Sequence, residues 1–317
     1  MMVSLILLAA LKKAMNFRSD GHPQLRYFYG SDFGVSSSRF TFRYKGHVLR
    51  GERFFGQNKD YKGVLVFFHG MGAGYTAYSQ EIAYFALHGY LVYAYDYLGC
   101  MTSEGSGIGS ICEPVLIQKE FFAFLDQDEP ARGLPRYAVG HSWGGYAALA
   151  AASPEYGIKA IISIAGFVNA VDMVCRLEPK LEKFRFLVRN AFRIGFGKIA
   201  ANDITDVVAN SHARVLYIQG DKDTAVLPAD GIDKVRAAFP NDPRVQIRLV
   251  PGAGHNPYWT KEGQDYIVML VREHHMTSLD FDNQFDVDYE KLNCDDPAFM
   301  QSLLDFLENV DKPSAGE

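Results

Sequence analysis

The segment Gly140-His141-Ser142-Trp143-Gly144 constrains the fold of this chain more than any other stretch. The apolar residues 136–139 before it predict a short buried strand, and the alanine-rich residues 145–152 after it predict a helix. A serine between strand and helix, with glycine two positions to either side, is typical of a tight turn whose flanking positions have no room for a side chain. Such a turn strains the serine backbone and presents its hydroxyl at the end of a sheet. Ser142 is therefore a candidate nucleophile.

Strand and helix patterns alternate along most of the chain. After a predicted hairpin over residues 39–55, the continuous apolar runs Val64–Phe68 and Leu91–Tyr95 are typical of strands buried on both faces of a sheet. Later strands are predicted at Ile158–Ala165, Val215–Ile218 and Val245–Val250. The alternation predicts an α/β fold with a mostly parallel sheet of about eight strands and helices on both faces. Ligands of such a sheet bind beyond the carboxyl ends of its strands.

The length of 317 residues allows one large α/β domain. We expect an N-terminal helix and lead-in over residues 1–38, followed by a single domain over residues 39–317. Residues 166–210 are too long for an ordinary connection between strands, so we expect them to form a small helical lid. Residues 258–310 form a C-terminal extension after the last strand.

The first eleven residues are almost entirely apolar, and Lys12 and Lys13 follow them. A secretory signal carries its positive charges before the apolar run, and a helix of this length is too short for a ~30 Å hydrocarbon core. We expect a helix packed on the domain or on a second copy of the chain, which would give a homodimer. An anchor at a membrane surface through Met1–Leu11 and an atypical signal sequence are the alternatives.

Charge and cysteine usage exclude some classes of function. The net charge of −5 predicts no general attraction to nucleic acid. The four cysteines are widely spaced and include no Cys-x-x-Cys pair, which favours free thiols in a reducing compartment, the cytoplasm, over a metal site. A single Cys100–Cys112 disulfide is the alternative.

A serine nucleophile needs an adjacent base, and the base needs an acid to orient it. Two loops that directly follow predicted strands supply both. Residues 219–226 carry Asp221 and Asp223, and residues 251–256 carry His255 after a glycine-rich approach. The chain order serine, acid, histidine is the order expected when such a site lies at one edge of a parallel sheet.

An oxyanion hole is the remaining requirement, because the attacked carbonyl develops negative charge on oxygen. We expect its donors to be the backbone N–H groups of Trp143 and of Met71, which lies in the glycine-rich loop after Val64–Phe68. The residues expected around the substrate pocket are His69, Gly70, His141, Phe167 and Phe186.

These motifs together resemble the α/β-hydrolase fold. They are H-G-x-G at residues 69–72, G-x-S-x-G at 140–144, G-x-x-D-x-x-V at 220–226 and Gly254-His255. Within that fold the chain is similar to the serine hydrolases grouped with monoacylglycerol lipases, small carboxylesterases and proline iminopeptidase-type aminopeptidases. The resemblance covers residues 64–256 and, more loosely, residues 39–310. It implies that Asp223, rather than Asp221, is the acid.

The expected reaction is hydrolysis of a carboxylic ester through an acyl-enzyme, without a metal or cofactor. A small-molecule acyl substrate is favoured by the aromatic residues of the predicted lid and by the lack of an acidic cluster that would receive a free amine. The alternatives are an aminopeptidase or amidase of the proline iminopeptidase type and, in another class, a non-catalytic relative that binds a ligand or partner.

Overall fold

A computed structural model of the protein describes residues 2–22, 25–274, 286–292 and 294–310. The strands of these residues form one sheet. They are β1 (Ser36–Tyr44), β2 (His47–Phe55), β3 (Gly63–Phe68), β4 (Tyr90–Tyr95), β5 (Arg136–His141), β6 (Ile158–Ile164), β7 (Arg214–Gly220) and β8 (Val245–Val250).

The sheet has the order β1-β2-β4-β3-β5-β6-β7-β8. β1 and β2 form an antiparallel hairpin that joins β4 antiparallel, and all strands from β4 to β8 run parallel. The predicted α/β architecture is therefore confirmed, and each predicted strand lies in this sheet. The parallel arrangement brings the loops after β3, β5, β7 and β8 to one edge.

Helices cover both faces of the sheet. They are α1 (Met2–Ala14), α2 (Ser79–Leu87), α3 (Glu113–Leu125), α4 (Trp143–Ala150), α5 (Ala170–Leu177), α6 (Arg185–Phe196), α7 (Lys198–Ala201), α8 (Thr205–Ala209), α9 (Ile232–Ala238), α10 (Lys261–Glu273), α11 (Tyr289–Leu292) and α12 (Pro297–Glu308). No helix in the described part of the chain is both long and apolar enough to cross a membrane.

Alternate residues of the central strands face two separate hydrophobic cores. Val64, Val66 and Phe68 of β3 pack with α3 and α4, whereas Leu65 and Phe67 pack with α2 and α12. This alternation explains why β3 is an unbroken apolar run in the sequence, since both of its faces are buried. All four cysteines are free thiols, so the alternative of a Cys100–Cys112 disulfide is wrong.

Residues 166–210, called the insertion below, carry α5 to α8 between β6 and β7. The N-terminal helix α1 packs against α6 of the insertion so closely that a Cβ at Gly195 would lie 2.6 Å from Leu8 Cδ1. In this structure α1 therefore lies against the insertion of its own chain.

The C-terminal segment is attached to the loop after β8. Thr260 N–H donates to Cys294 O at 2.9 Å, and Asp296 N–H donates to Tyr258 O at 2.8 Å. Between these bonds the Asp295 carboxyl lies near the buried carboxyl of Glu81 on α2, which is also close to Tyr258. Asp295 is partly exposed as a residue, yet its Oδ2 is enclosed and has no hydrogen-bond partner among the described residues. Burial raises the pKa of both carboxyls, that of Asp295 to about 7.

The raised pKa of Asp295 predicts that stability falls as the pH rises. The unfolded carboxyl titrates near pH 3.9, so the folded chain holds this proton more tightly. The contribution of the protonated Asp295 carboxyl to the free energy of unfolding is complete below about pH 4 and is lost as the pH rises through about 7. Asp295→Asn keeps the site neutral. Between pH 5 and 8 its free energy of unfolding should therefore fall by about 2–3 kcal/mol less than that of the wild type.

Urea unfolding across this pH range measures the difference. Asp265→Asn is the matched control, because Asp265 is an exposed carboxyl on α10. Parallel pH dependences for wild type and Asp295→Asn would contradict the assignment.

Candidate active site

Ser142 lies on a strained turn between β5 and α4. Its φ of 58° and ψ of −119° lie outside the regions that a non-glycine residue ordinarily occupies. A Cβ at Gly140 would overlap the carbonyl oxygen of Gly144, and one at Gly144 would overlap that of Phe68. The glycines of the motif are thus required by close backbone approach. Ser142 is partly exposed, whereas its neighbours in the motif are buried.

The turn is held from both sides. Ser142 N–H donates to Ile164 O at the end of β6, at 2.8 Å. The Trp143 side chain is buried, and its Nε1–H donates to Ile111 O at 2.5 Å. Since the indole is fixed in the core, Trp143 offers only its backbone N–H at the N-terminus of α4, where the helix dipole favours negative charge.

Asp223 and His255 form a direct pair at the edge of β7 and β8. His255 Nδ1 lies 2.9 Å from both carboxylate oxygens of Asp223, whose side chain is completely enclosed. Backbone N–H groups of Ala225 and Val226 also donate to Asp223 Oδ1, each at 3.0 Å. The histidine is 23% exposed, so its ring reaches solvent while its acid does not.

The surroundings of Asp223 keep it ionised. Burial alone would raise its pKa, but the hydrogen bond and the charge of His255, with the donors of Val226 and Gln219, outweigh burial and hold the pKa below its ordinary value. Asp221 instead accepts a bond from Gly252 N–H at 2.7 Å and orients no histidine. An ionised Asp223 accepts a hydrogen bond from His255 Nδ1–H, which leaves His255 Nε2 as the basic nitrogen.

The loop after β3 passes directly beside Ser142. A Cβ on Gly70 would lie 3.5 Å from Ser142 Cβ. His69 braces this loop from the core: its Nδ1–H donates to Gly70 O at 2.6 Å, and its Nε2 accepts from Tyr97 N–H at 3.2 Å. Burial lowers the pKa of His69 to about 4, so the ring is neutral and has one donor and one acceptor, as these bonds require.

A second buried histidine connects this loop to the His255 loop. Gly70 N–H donates to the Tyr78 hydroxyl oxygen at 3.1 Å, and the Tyr78 hydroxyl donates to His141 Nδ1 at 2.9 Å. The remaining nitrogen, His141 Nε2, donates to His255 O at 2.9 Å. Burial lowers the pKa of His141 to about 3, which keeps the ring neutral. This chain of bonds, the Tyr78–His141 bridge below, fixes two loops relative to each other.

A groove of about 350 Å³ lies next to these loops, between Met71 and Asn256. Its walls come from the lead-in, from α10 and from the residues after His255. They are Leu25, Arg26, Tyr27, Phe28, Met71, Thr76, Ala77, Tyr78, Asn256, Tyr258, Trp259, Ile267, Val271 and Leu292. None of these described residues is acidic.

None of the five residues expected around the pocket is among the residues that line this groove, although Gly70 lies beside Ser142. His69 and His141 are buried and act through the loops, and Phe167 stacks on Tyr146 in the core with ring centroids 4.5 Å apart. Phe186 is 73% exposed on the outer side of α6 and does not line the groove, because α6 turns its opposite face, with Val188 and Phe192, toward the core. The described residues contain no cluster of side chains that could hold a metal ion.

Parts of this chain match two protein families. Residues 59–194 match the family described as serine aminopeptidase, S33, and residues 135–273 match the prolyl oligopeptidase family. No curated protein matches the chain by sequence. Ser142 lies in both matched regions, whereas Asp223 and His255 lie only in the second.

Solved structures with the same fold share little sequence with this chain. An esterase from Pyrococcus furiosus is 15% identical with a TM-score of 0.57, and the match covers 81% of this chain and 98% of the esterase. The α/β hydrolase GrgF from Penicillium sp. sh18 is 14% identical with a TM-score of 0.57 over 87% of this chain and 99% of that protein. An acylaminoacyl peptidase from Pyrococcus horikoshii is 16% identical with a TM-score of 0.52 over 70% of this chain and 38% of its own. These structures show that the chain has the α/β-hydrolase fold, and both matched families are described as peptidase families.

Proposed function

We propose that this protein hydrolyses a carboxylic ester through an acyl-enzyme formed on Ser142. The observation that carries the proposal is the enclosed Asp223 carboxylate on His255 Nδ1, at the same sheet edge as the strained, partly exposed Ser142. A protein that only binds a ligand or partner needs neither an oriented base nor a strained serine. This geometry therefore favours an enzyme over a non-catalytic relative.

In the proposed reaction His255 Nε2 takes the Ser142 proton as the hydroxyl oxygen attacks the ester carbonyl. Asp223 keeps the Nδ1 proton in place and stabilises the imidazolium that forms. His255 then gives the proton to the departing alcohol, and the acyl group remains on Ser142. A water molecule, deprotonated by His255, attacks the acyl-enzyme, and the acid leaves as Ser142 regains its proton.

The oxyanion of each tetrahedral intermediate would be held by the backbone N–H groups of Met71 and Trp143. Support for this assignment comes from the closeness of Gly70 to Ser142 and from the position of Trp143 as the first residue of α4. Loss of one such donor typically raises the barrier by about 3–4 kcal/mol. The backbone conformation sets the positions of the Met71 and Trp143 N–H groups. Gly70 and the buried Trp143 side chain would therefore contribute to the reaction by holding that backbone in place.

An ester substrate with an apolar or aromatic part fits the groove beside Met71. Its described walls include Tyr27, Phe28 and Trp259, and the only charged side chain among them is Arg26. An enzyme that captures a free α-amino group needs a carboxylate near the nucleophile, and the described lining offers none. This favours an ester over the N-terminal residue of a peptide.

An aminopeptidase is the second candidate. It is favoured by the match of residues 59–194 to a family described as serine aminopeptidase. The chemistry on Ser142 would be the same, with an amine instead of an alcohol as the leaving group, so only the substrate separates the two candidates.

Removal of the nucleophile should abolish turnover. Ser142→Ala should lose labelling by a fluorophosphonate probe and reduce kcat at least about 10⁴-fold, and Asp223→Asn should reduce kcat by about 10⁴-fold through the wrong histidine tautomer. Asp221→Asn is the matched control and should retain activity near that of the wild type. A Ser142→Ala protein that is still labelled, or that retains turnover, would sink the nucleophile assignment.

Substrate preference is tested with p-nitrophenyl esters of graded chain length against aminoacyl anilides. We expect kcat/KM for the best ester to exceed that for any anilide by more than about 100-fold, since the groove lacks a partner for a free amine. Equal or faster cleavage of anilides would favour the aminopeptidase instead.

Loss of the Tyr78–His141 bridge should lower kcat more than it changes KM. Tyr78→Phe leaves Gly70 N–H and His141 Nδ1 without their buried partner, so we expect kcat to fall about 10-fold or more, equivalent to about 1.4 kcal/mol. His141→Leu should act similarly. His141→Gln should recover most of the activity, because its amide offers an acceptor to Tyr78 and a donor to His255 O. Equal activities of His141→Gln and His141→Leu would contradict a positioning role.

A further inference from the structure

The N-terminal helix α1 has the reverse of the usual pattern of a surface helix, because it buries a polar residue and exposes large apolar residues. Its only polar residue before Lys12 is Ser4, which is buried, while Ile6 is 64% exposed and Met2 is 73% exposed. Ser4, Leu8, Leu11 and Met15 follow at helical spacing and face the protein. Met2, Ile6, Ala9 and Lys13 follow at the same spacing on the outer side. A helix that is apolar on both sides needs apolar surroundings on both sides.

Helix α6 packs against α1. It lies against α1 through Gly195 and Leu8, and Lys12 Nζ is 5.4 Å from the centre of the Phe196 ring. The exposed residues Phe186 and Arg193 of α6 lie on the side opposite Gly195 and so point away from α1. We call the exposed side of α1 the outer face. Its large apolar members are Met2, Val3, Leu5 and Ile6.

The charges of the two helices are all of one sign. Neither α1 nor α6 contains an acidic residue, although the chain has a net charge of −5. Arg185 forms ion pairs with Asp172 and Glu182. The other basic residues of the two helices form no ion pair with any residue that the structure describes; they are Lys12, Lys13, Arg189 and Arg193. Of these, Lys12 and Lys13 are exposed at the end of α1, where their charges complement an anionic surface.

An apolar cavity of about 220 Å³ lies between α1 and the insertion. Its walls include Leu11, Met15, Val174, Leu177, Phe192 and Phe196. A space lined almost wholly by apolar side chains suits a methylene chain rather than a polar ligand.

We propose that the outer face docks on an anionic lipid bilayer. Met2, Val3, Leu5 and Ile6 enter the apolar boundary of the leaflet, and Lys12 and Lys13 lie at the level of the phosphates. An apolar helix face adds buried area, and each basic residue near an anionic leaflet adds attraction, which together give reversible surface binding without a spanning helix. Docking uses no catalytic residue, so it is independent of the proposed function.

Cosedimentation of the full chain with lipid vesicles tests the proposal. We expect binding to vesicles of phosphatidylcholine and phosphatidylglycerol at 7:3 to be at least 10-fold tighter than to phosphatidylcholine alone, and to weaken in 0.5 M NaCl. The Leu5→Ser/Ile6→Ser variant should bind at least 10-fold more weakly. The Lys12→Glu/Lys13→Glu variant should lose the preference for phosphatidylglycerol. Ser142→Ala should bind like the wild type.

Val268→Ser is the matched control, because Val268 is an equally exposed apolar residue on α10, outside the outer face. It should bind vesicles like the wild type. Circular dichroism and unchanged hydrolysis of a soluble ester exclude misfolding of the variants. Failure of the wild type to bind at millimolar lipid, or unchanged binding of Leu5→Ser/Ile6→Ser, would overturn the proposal. A dimer that this variant dissociates, with no vesicle binding by the wild type, would assign the face to a second copy instead.

Discussion

The site depends on the close approach of backbone at the turn after β5. The chain can pass from β5 into α4 only because glycine stands at positions 140 and 144, where a Cβ would overlap a neighbouring carbonyl oxygen. The approach forces Ser142 to a positive φ, which exposes its hydroxyl and sets the N-terminus of α4 beneath it. A strain of order 1–3 kcal/mol at such a residue persists only because the surrounding sheet holds it. Here the bond from Ser142 N–H to β6 and the buried Trp143 side chain supply that support.

The remaining site residues come from separate loops, so hydrogen bonds between these loops are needed to fix the residues relative to one another. The enclosed Asp223 orients His255 from the β7 loop. The Tyr78–His141 bridge connects the loop that carries Met71 to the backbone of His255. Both histidines behind the site, His69 and His141, are held neutral by burial, so each keeps a fixed donor and a fixed acceptor. Their rings serve as rigid connectors, and in the proposed reaction His255 carries the proton.

Much of the fold could be predicted from the sequence because its strands have recognisable local sequence patterns. Val64–Phe68 and Leu91–Tyr95 are apolar on both faces, and glycine-rich loops mark the ends of the strands that carry the site. The groove could not be predicted, because residues 25–28, Asn256 and Ile267 meet only in the folded chain. The expectation for Phe186 followed the aromatic composition of the insertion, but composition does not tell which side of a helix faces the site. The hydrogen bonds of His141 could not be predicted either, because its partners Tyr78 and His255 are distant in the sequence.

The proposed reaction requires that Ser142, held by this turn, becomes acylated during turnover. Its most direct test is acid quenching of the wild-type protein within milliseconds of mixing with a p-nitrophenyl ester, followed by mass spectrometry of its peptides. We expect one acyl group on the peptide that contains Ser142, formed with a burst of p-nitrophenol and lost at the rate of steady-state turnover. Turnover with no acylated Ser142, or with the acyl group on another residue, would contradict it.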